Sequence, residues 1–83
     1  MSTHRTAVVE VTATTISLPL GSTFLGVEPH PSNSPALYLV HFADSGSATA
    51  HTYQLLALGE GVAIPAGLAV VGVVNGYLIV GAS

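Results

Sequence analysis

The sequence predicts an all-β domain, a small sandwich or barrel of about seven short strands. Three observations predict it. Short runs rich in Val, Ile, Thr and Leu alternate with clusters of Gly, Pro, Asn and Ser, the punctuation expected of strands joined by turns. Asn75-Gly76 separates two apolar runs, Ala69–Val74 and Tyr77–Ala82. Asn-Gly is the strongest short-range hairpin signal, because both residues tolerate the positive φ of a type I′ turn. Finally, a stretch recurs. Ile16–Val27 aligns without a gap on Val62–Val73, with identities at Pro19/Pro65, Gly21/Gly67, Gly26/Gly72 and Val27/Val73. Two copies are too few for a solenoid, and they suggest a pseudo-symmetric domain.

Taken in order, residues 1–5 are polar and read as a flexible N-terminal arm of a single domain covering residues 1–83. Ala7–Val11 is Val-rich and weakly alternating, a first strand with Glu10 on its outer face. Thr12–Leu18 continues in β-branched residues and ends at Pro19, which cannot donate to a ladder. Leu20–Ser22 is a turn and Thr23–Val27 a strand, where Gly26 suggests a bulge or a close backbone approach. Glu28–Pro35 carries three prolines and forms a loop. Ala36–Ala43 is a strand, Asp44-Ser-Gly-Ser a turn, and Thr49–Ala57 the returning strand. Leu58–Gly61 turns toward the closing hairpin. Tyr53–Leu58 is compatible with a helix but too short to hold one.

Composition narrows the function. The chain has 83 residues, one Arg, no Lys, four acidic residues and no Cys, a formal charge of -3. Nucleic-acid affinity rests on Lys and Arg at phosphates, so that class of partner is argued against. Without Cys there is neither a disulfide nor a thiolate metal site. Charged residues make up 6% where an ordinary domain has ~25%, so burial of much of the surface against copies of the chain or a larger partner is expected. Val62–Ser83 is uncharged and long enough to span a bilayer. Pro65, Gly67 and Asn75-Gly76 interrupt it, and no Lys, Arg or Trp anchors flank it, so a membrane span is argued against. No basic-then-apolar leader opens the sequence.

The chemistry-bearing residues are few. If the Asp44–Thr49 turn centres on Gly46, His41 lies opposite His51 and the two imidazoles could share a metal, with Asp44 a conceivable third ligand. Against this, in that register His41 lies beside Leu37 and Leu39 and faces Tyr53 and Leu55, so the pair merely ends an apolar face, and a one-residue slip would separate it. No Gly-x-Ser-x-Gly elbow is present. Glu10, Glu28, Asp44 and Glu60 lie in separate segments, and Gly59-Glu60-Gly61 lacks the helix and lysine of a phosphate loop. No catalytic residues, cofactor or firm metal site are assigned. Tyr38, Tyr53 and Tyr77 suit either a core or an interface.

Ile16-x-Leu-Pro-x-Gly-x-x-Phe-Leu-Gly-Val27, Pro35–Val40, Thr52–Gly59, Ile64-Pro65 and Val70–Val74 span most of the chain. Together they resemble an uncharacterised family of short phage-encoded all-β proteins. The resemblance brings no assigned activity with it. It implies a compact β fold and a phage or prophage setting. The lack of disulfides fits synthesis in a host cytoplasm, and the expected location is the virion.

The expected function is that of a non-enzymatic viral structural protein, such as a capsid decoration or tail accessory protein, acting as a homo-oligomer or by docking on a larger viral assembly. The expected interface is the closing hairpin, through Val70, Val71, Val73, Tyr77, Leu78 and Val80. The alternative is a small phage-encoded inhibitor that sequesters a host defence component, with Pro29–Pro35 as its contact loop.

Overall fold

Alternation of apolar and polar residues decides which face each strand buries. Tyr38, Val40 and Phe42 are buried, while Leu39 and His41 between them face outward. The computed structural model, which describes residues 2–82, has seven strands. They are β1 (Thr3–Glu10), β2 (Thr15–Pro19), β3 (Thr23–Pro29), β4 (Leu37–Asp44), β5 (Ala50–Leu58), β6 (Ala69–Val74) and β7 (Tyr77–Ala82). They form two antiparallel sheets, one ordered β1-β4-β3 and the other β2-β5-β7-β6. The Cα extents are 37 × 32 × 16 Å, the shape of two sheets stacked about 10 Å apart.

The core lies between the sheets. Val9, Tyr38 and Val40 from the first meet Leu55, Val74 and Ile79 from the second. A smaller cluster of Leu18, Phe42 and Tyr53 continues the same layer. The sheets touch where glycine replaces a side chain. A Cβ on Gly81 would lie 2.8 Å from the Phe24 ring and 3.0 Å from the Gln54 carbonyl, and one on Gly72 would lie 2.8 Å from Val27 Cγ2.

The closing hairpin forms as the sequence predicts. Asn75 and Gly76 have φ of 51° and 80°, a left-handed pair that matches a type I′ turn. Asn75 Nδ2 also donates to the Leu37 carbonyl at 3.1 Å, which ties the hairpin to the start of β4. The repeat is present in the backbone. Gly21 and Gly67 have φ of 87° and 84°, and the register shifts between Phe24 and Gly26 and again between Val70 and Gly72. The repeated bulges face opposite ways. Gly26 pairs with His41 on the outer face of its sheet, whereas Gly72 pairs with Ile79 and faces Val27 in the interior. Ile16–Pro19 lies in β2, while the matching Val62–Pro65 lies in no strand.

Two expectations are corrected. The N-terminal arm is not free from residue 3 onward, because β1 begins at Thr3 and pairs with Asp44. Arg5 adds an ion pair to Asp44 at 2.9 Å. Met1 lies outside the described residues. The second correction concerns β4 and β5, which are not a hairpin. Each is an inner strand, β4 between β1 and β3, β5 between β2 and β7. Residues 45–49 form an arch between the sheets. Ser45 Oγ donates to the Leu20 carbonyl at 2.6 Å, Gly46 N donates to Asp44 Oδ1 at 2.8 Å, and Leu20 N donates to the Thr49 carbonyl at 2.8 Å.

Two buried tyrosines differ in how their hydroxyls are served. Tyr53 accepts from Gly21 N at 3.0 Å and so fastens the turn between β2 and β3. Tyr38 is fully buried, and its hydroxyl finds no partner among the described residues. Burial pushes the Tyr38 phenol up from 10.0 to about 12, since the phenolate cannot be solvated there.

Gly81→Ala is expected to cost about 1–3 kcal/mol in denaturant unfolding, with only partial recovery on adding Phe24→Leu, because the Gln54 carbonyl remains. Tyr53→Phe should lower stability by about 1 kcal/mol, whereas Tyr38→Phe should leave it unchanged or raise it by up to about 1 kcal/mol. Equal losses in the two variants would contradict this account. The raised Tyr38 value also has a sign. The folded chain keeps the phenol proton to about pH 12 and the unfolded chain releases it near 10.0. Stability therefore falls as pH rises across that window, and in Tyr38→Phe the alkaline loss should shrink.

Candidate functional site

The outer faces of the two sheets differ in chemistry, and the difference follows from the register. On the four-stranded sheet, the interior takes Leu55, Ile79 and Val74. The alternate positions, Leu56, Leu58, Leu78, Val80, Val70 and Val73, therefore gather on the other side. That face is apolar throughout β7 and β6. On the three-stranded sheet, the corresponding face carries His4, Thr6, Val8 and Glu10 from β1, Leu39 and His41 from β4, and Glu28 from β3.

The six residues expected to form an interface divide on this framework. Val70 and Val73 are 60% and 69% exposed on an edge strand, the highest exposures among the large apolar side chains described. Leu78, paired with Val73 and Leu58, is half-buried. Val71 is the extra residue of the β6 bulge, and with Tyr77 it packs against the core. Val80 is fully buried. It sits on the inner strand β7 between Leu56 and Val70, so the chain itself covers it and a docking partner does not reach it. The exposed part of the expected surface therefore reduces to Val70 and Val73, with Leu78 behind them.

Beside this face runs an open groove of about 440 Å³. Its walls are repeat-equivalent segments, Thr23–Leu25 at the start of β3 and Ala69–Val71 at the start of β6, and Gly81 contributes to the lining. Leu25, the extra residue of the β3 bulge, is 58% exposed at its rim. The sequence repeat signalled both bulges. It did not signal that they would line one groove, because that depends on β3 and β6 coming together from different sheets.

The histidines are not where the sequence placed them. His41 and His51 belong to different sheets and do not face each other. His51 is paired with Leu18 and packs edge-on against Tyr53, ring centroids 4.8 Å apart. His41 instead meets His4, its Nδ1 2.7 Å from His4 Nε2, while its Nε2 lies 2.8 Å from Glu28 Oε1. His41 is thus flanked by Glu28 at Nε2 and by His4 at Nδ1. Asp44, imagined as a third metal ligand, is turned to Arg5 and Gly46. Among the described residues, no group of three or more His, Asp or Glu side chains gathers as a metal cluster. Sequence reading missed His4 because the first residues looked like an arm; the alternation Thr3, Arg5, Ala7, Val9 against His4, Thr6, Val8, Glu10 was the signal available.

Among the described residues, no helix is long and apolar enough to cross a membrane. Compared with protein-family models, with curated proteins and with solved structures, the chain matches none of them.

Proposed function

We propose that this protein is a non-enzymatic structural component of a phage particle, and that it works by self-association through the outer face of β6. One observation carries the docking reading: Val70 and Val73 stand 60% and 69% exposed on an uncharged edge strand. A second copy is the occupant that suits this face. Ala69–Val74 holds only Ala, Val and Gly, so two such strands meeting across a two-fold bring no like charges together. Each valine removed from water contributes about 1.5 kcal/mol. That is modest for one contact and adds up in an assembly that repeats it. The bulge at Val70/Gly72 lies in the ladder between β6 and β7 and bends the free edge of β6 with it, which favours face-to-face docking over a continued sheet. The phage setting is supported by the family resemblance of the sequence alone.

A concentration series in light scattering tests the reading. The wild-type mass should rise to a defined oligomer, and Val70→Asp with Val73→Asp should hold the chain monomeric while circular dichroism remains that of the folded protein. The charges are placed at exposed positions, so loss of association without loss of fold is the informative result. A wild-type chain that stays monomeric at every concentration, or a double variant that assembles normally, would overturn self-docking. A monomer would direct attention to the inhibitor alternative. Its contact loop is pre-shaped by the left-handed Asn33 and by the His30 Nδ1 contact with Ser32 Oγ at 2.7 Å.

A further inference from the structure

His4, His41 and Glu28 form a line across the outer face of the three-stranded sheet, one residue from each strand. His41 is paired with Thr6 on β1, and His4 with Ala43, so the His4 ring reaches diagonally to His41. The two rings are 23° from parallel with centroids 5.0 Å apart, and their nearest nitrogens are 2.7 Å apart. A centroid distance that exceeds the nitrogen separation by about one ring width means that the rings meet edge to edge, their nitrogens pointing at each other. Glu28 Oε1, 2.8 Å from Nε2, accepts the proton of that nitrogen and so leaves Nδ1 of His41 with a bare lone pair aimed at His4.

A carboxylate on one ring nitrogen, with the other nitrogen free to coordinate, is the arrangement that metal-binding histidines use. The carboxylate fixes the tautomer and raises the basicity of the ligand. Space is available on one flank, since Gly26 stands opposite His41 and a Cβ there would meet nothing within 4 Å.

We propose that His4 Nε2 and His41 Nδ1 bind a divalent transition-metal ion of the Zn²⁺ class, with Glu28 as the outer carboxylate that orients His41. Two nitrogens on a tetrahedral zinc, each at about 2.05 Å, are roughly 3.3 Å apart. The observed 2.7 Å has to open by about 0.6 Å, and the rings have to tilt off their common line. His4 is exposed on the edge strand β1 and supplies that movement. Before binding, the one proton of neutral His4 sits on Nε2 and points at His41 Nδ1. On binding it passes through water to His4 Nδ1, which frees the Nε2 lone pair, and the metal takes its place between the rings. Two protein ligands leave two positions for water. The site is separate from the β6 face, so it stands or falls independently of self-docking.

Zn²⁺ titration of the full chain, followed by calorimetry and by thermal unfolding, tests it. Saturable binding with a zinc-dependent rise in Tm is expected. His4→Ala and His41→Ala should each remove the binding, Glu28→Gln should weaken it at least about tenfold, and His30→Ala should leave it unchanged. All four positions lie on the surface or in a loop, and circular dichroism checks that each variant folds. No saturable binding by the wild type, or binding that survives His4→Ala or follows His30, would overturn the site. Full affinity in Glu28→Gln would overturn the role of the carboxylate.

Discussion

The two sheets approach each other through the bare backbone of Gly81 and Gly72. The Phe24 ring occupies the space where a side chain at position 81 would stand, and Val27 does the same over position 72. These contacts seat β3 of one sheet over β7 and β6 of the other. The arrangement of the rest follows from that seating. Tyr38 and Val40 of β4 meet Leu55 and Ile79 in a single layer, and the starts of β3 and β6 are brought together to line one groove. A side chain larger than hydrogen at position 81 forces either the Phe24 ring or the Gln54 backbone to move, and interiors packed to crystal-like density have little slack for that.

A second constraint is the scarcity of charge. One Arg and four acidic residues must serve the whole surface. Arg5 and Asp44 are spent on each other at the end of β1 and β4, where an exposed pair contributes little to stability. Glu28 is engaged with His41. Surface polarity therefore comes mainly from Ser and Thr and from backbone groups. Large apolar side chains remain exposed at Val8, Leu20, Leu25, Val62, Ile64, Val70 and Val73. The two outer faces divide the labour: the polar one carries the histidine–carboxylate line, and the apolar one carries the docking surface proposed for self-association.

Two buried tyrosines show how polar groups inside a small core can be settled differently. Tyr53 lies near the margin of the core layer, where its hydroxyl reaches Gly21 N. Tyr38 lies within the main cluster and fills volume with an oxygen that gains no bond among the described residues. Packing density rather than hydrogen bonding explains an aromatic ring there.

By itself the sequence determined most of the places where the chain runs as strand or turns, but not the start of β1 at Thr3 or the reach of β3 to Pro29. Asn75-Gly76 specified its own turn because the positive φ of both residues is a local property. Gly21, Gly67 and the two bulges were legible in the repeat for the same reason. Residues 37–42 are apolar except at His41, so which of their faces turns inward was left to the tertiary structure, which buries Tyr38, Val40 and Phe42. The sheet each strand joins was decided only by the tertiary structure. The segments before and after Asp44-Ser45-Gly46 look like a hairpin locally, yet β4 and β5 each find better partners elsewhere and become inner strands of opposite sheets. That choice separated His41 from His51 and gave His41 to His4 and Glu28. It also placed β7 between two neighbours, which buried Val80 and left Val70 and Val73 exposed. Turn chemistry depends on one or two residues. Strand partnership depends on the combined burial of faces distant in sequence, and no local pattern contains that sum.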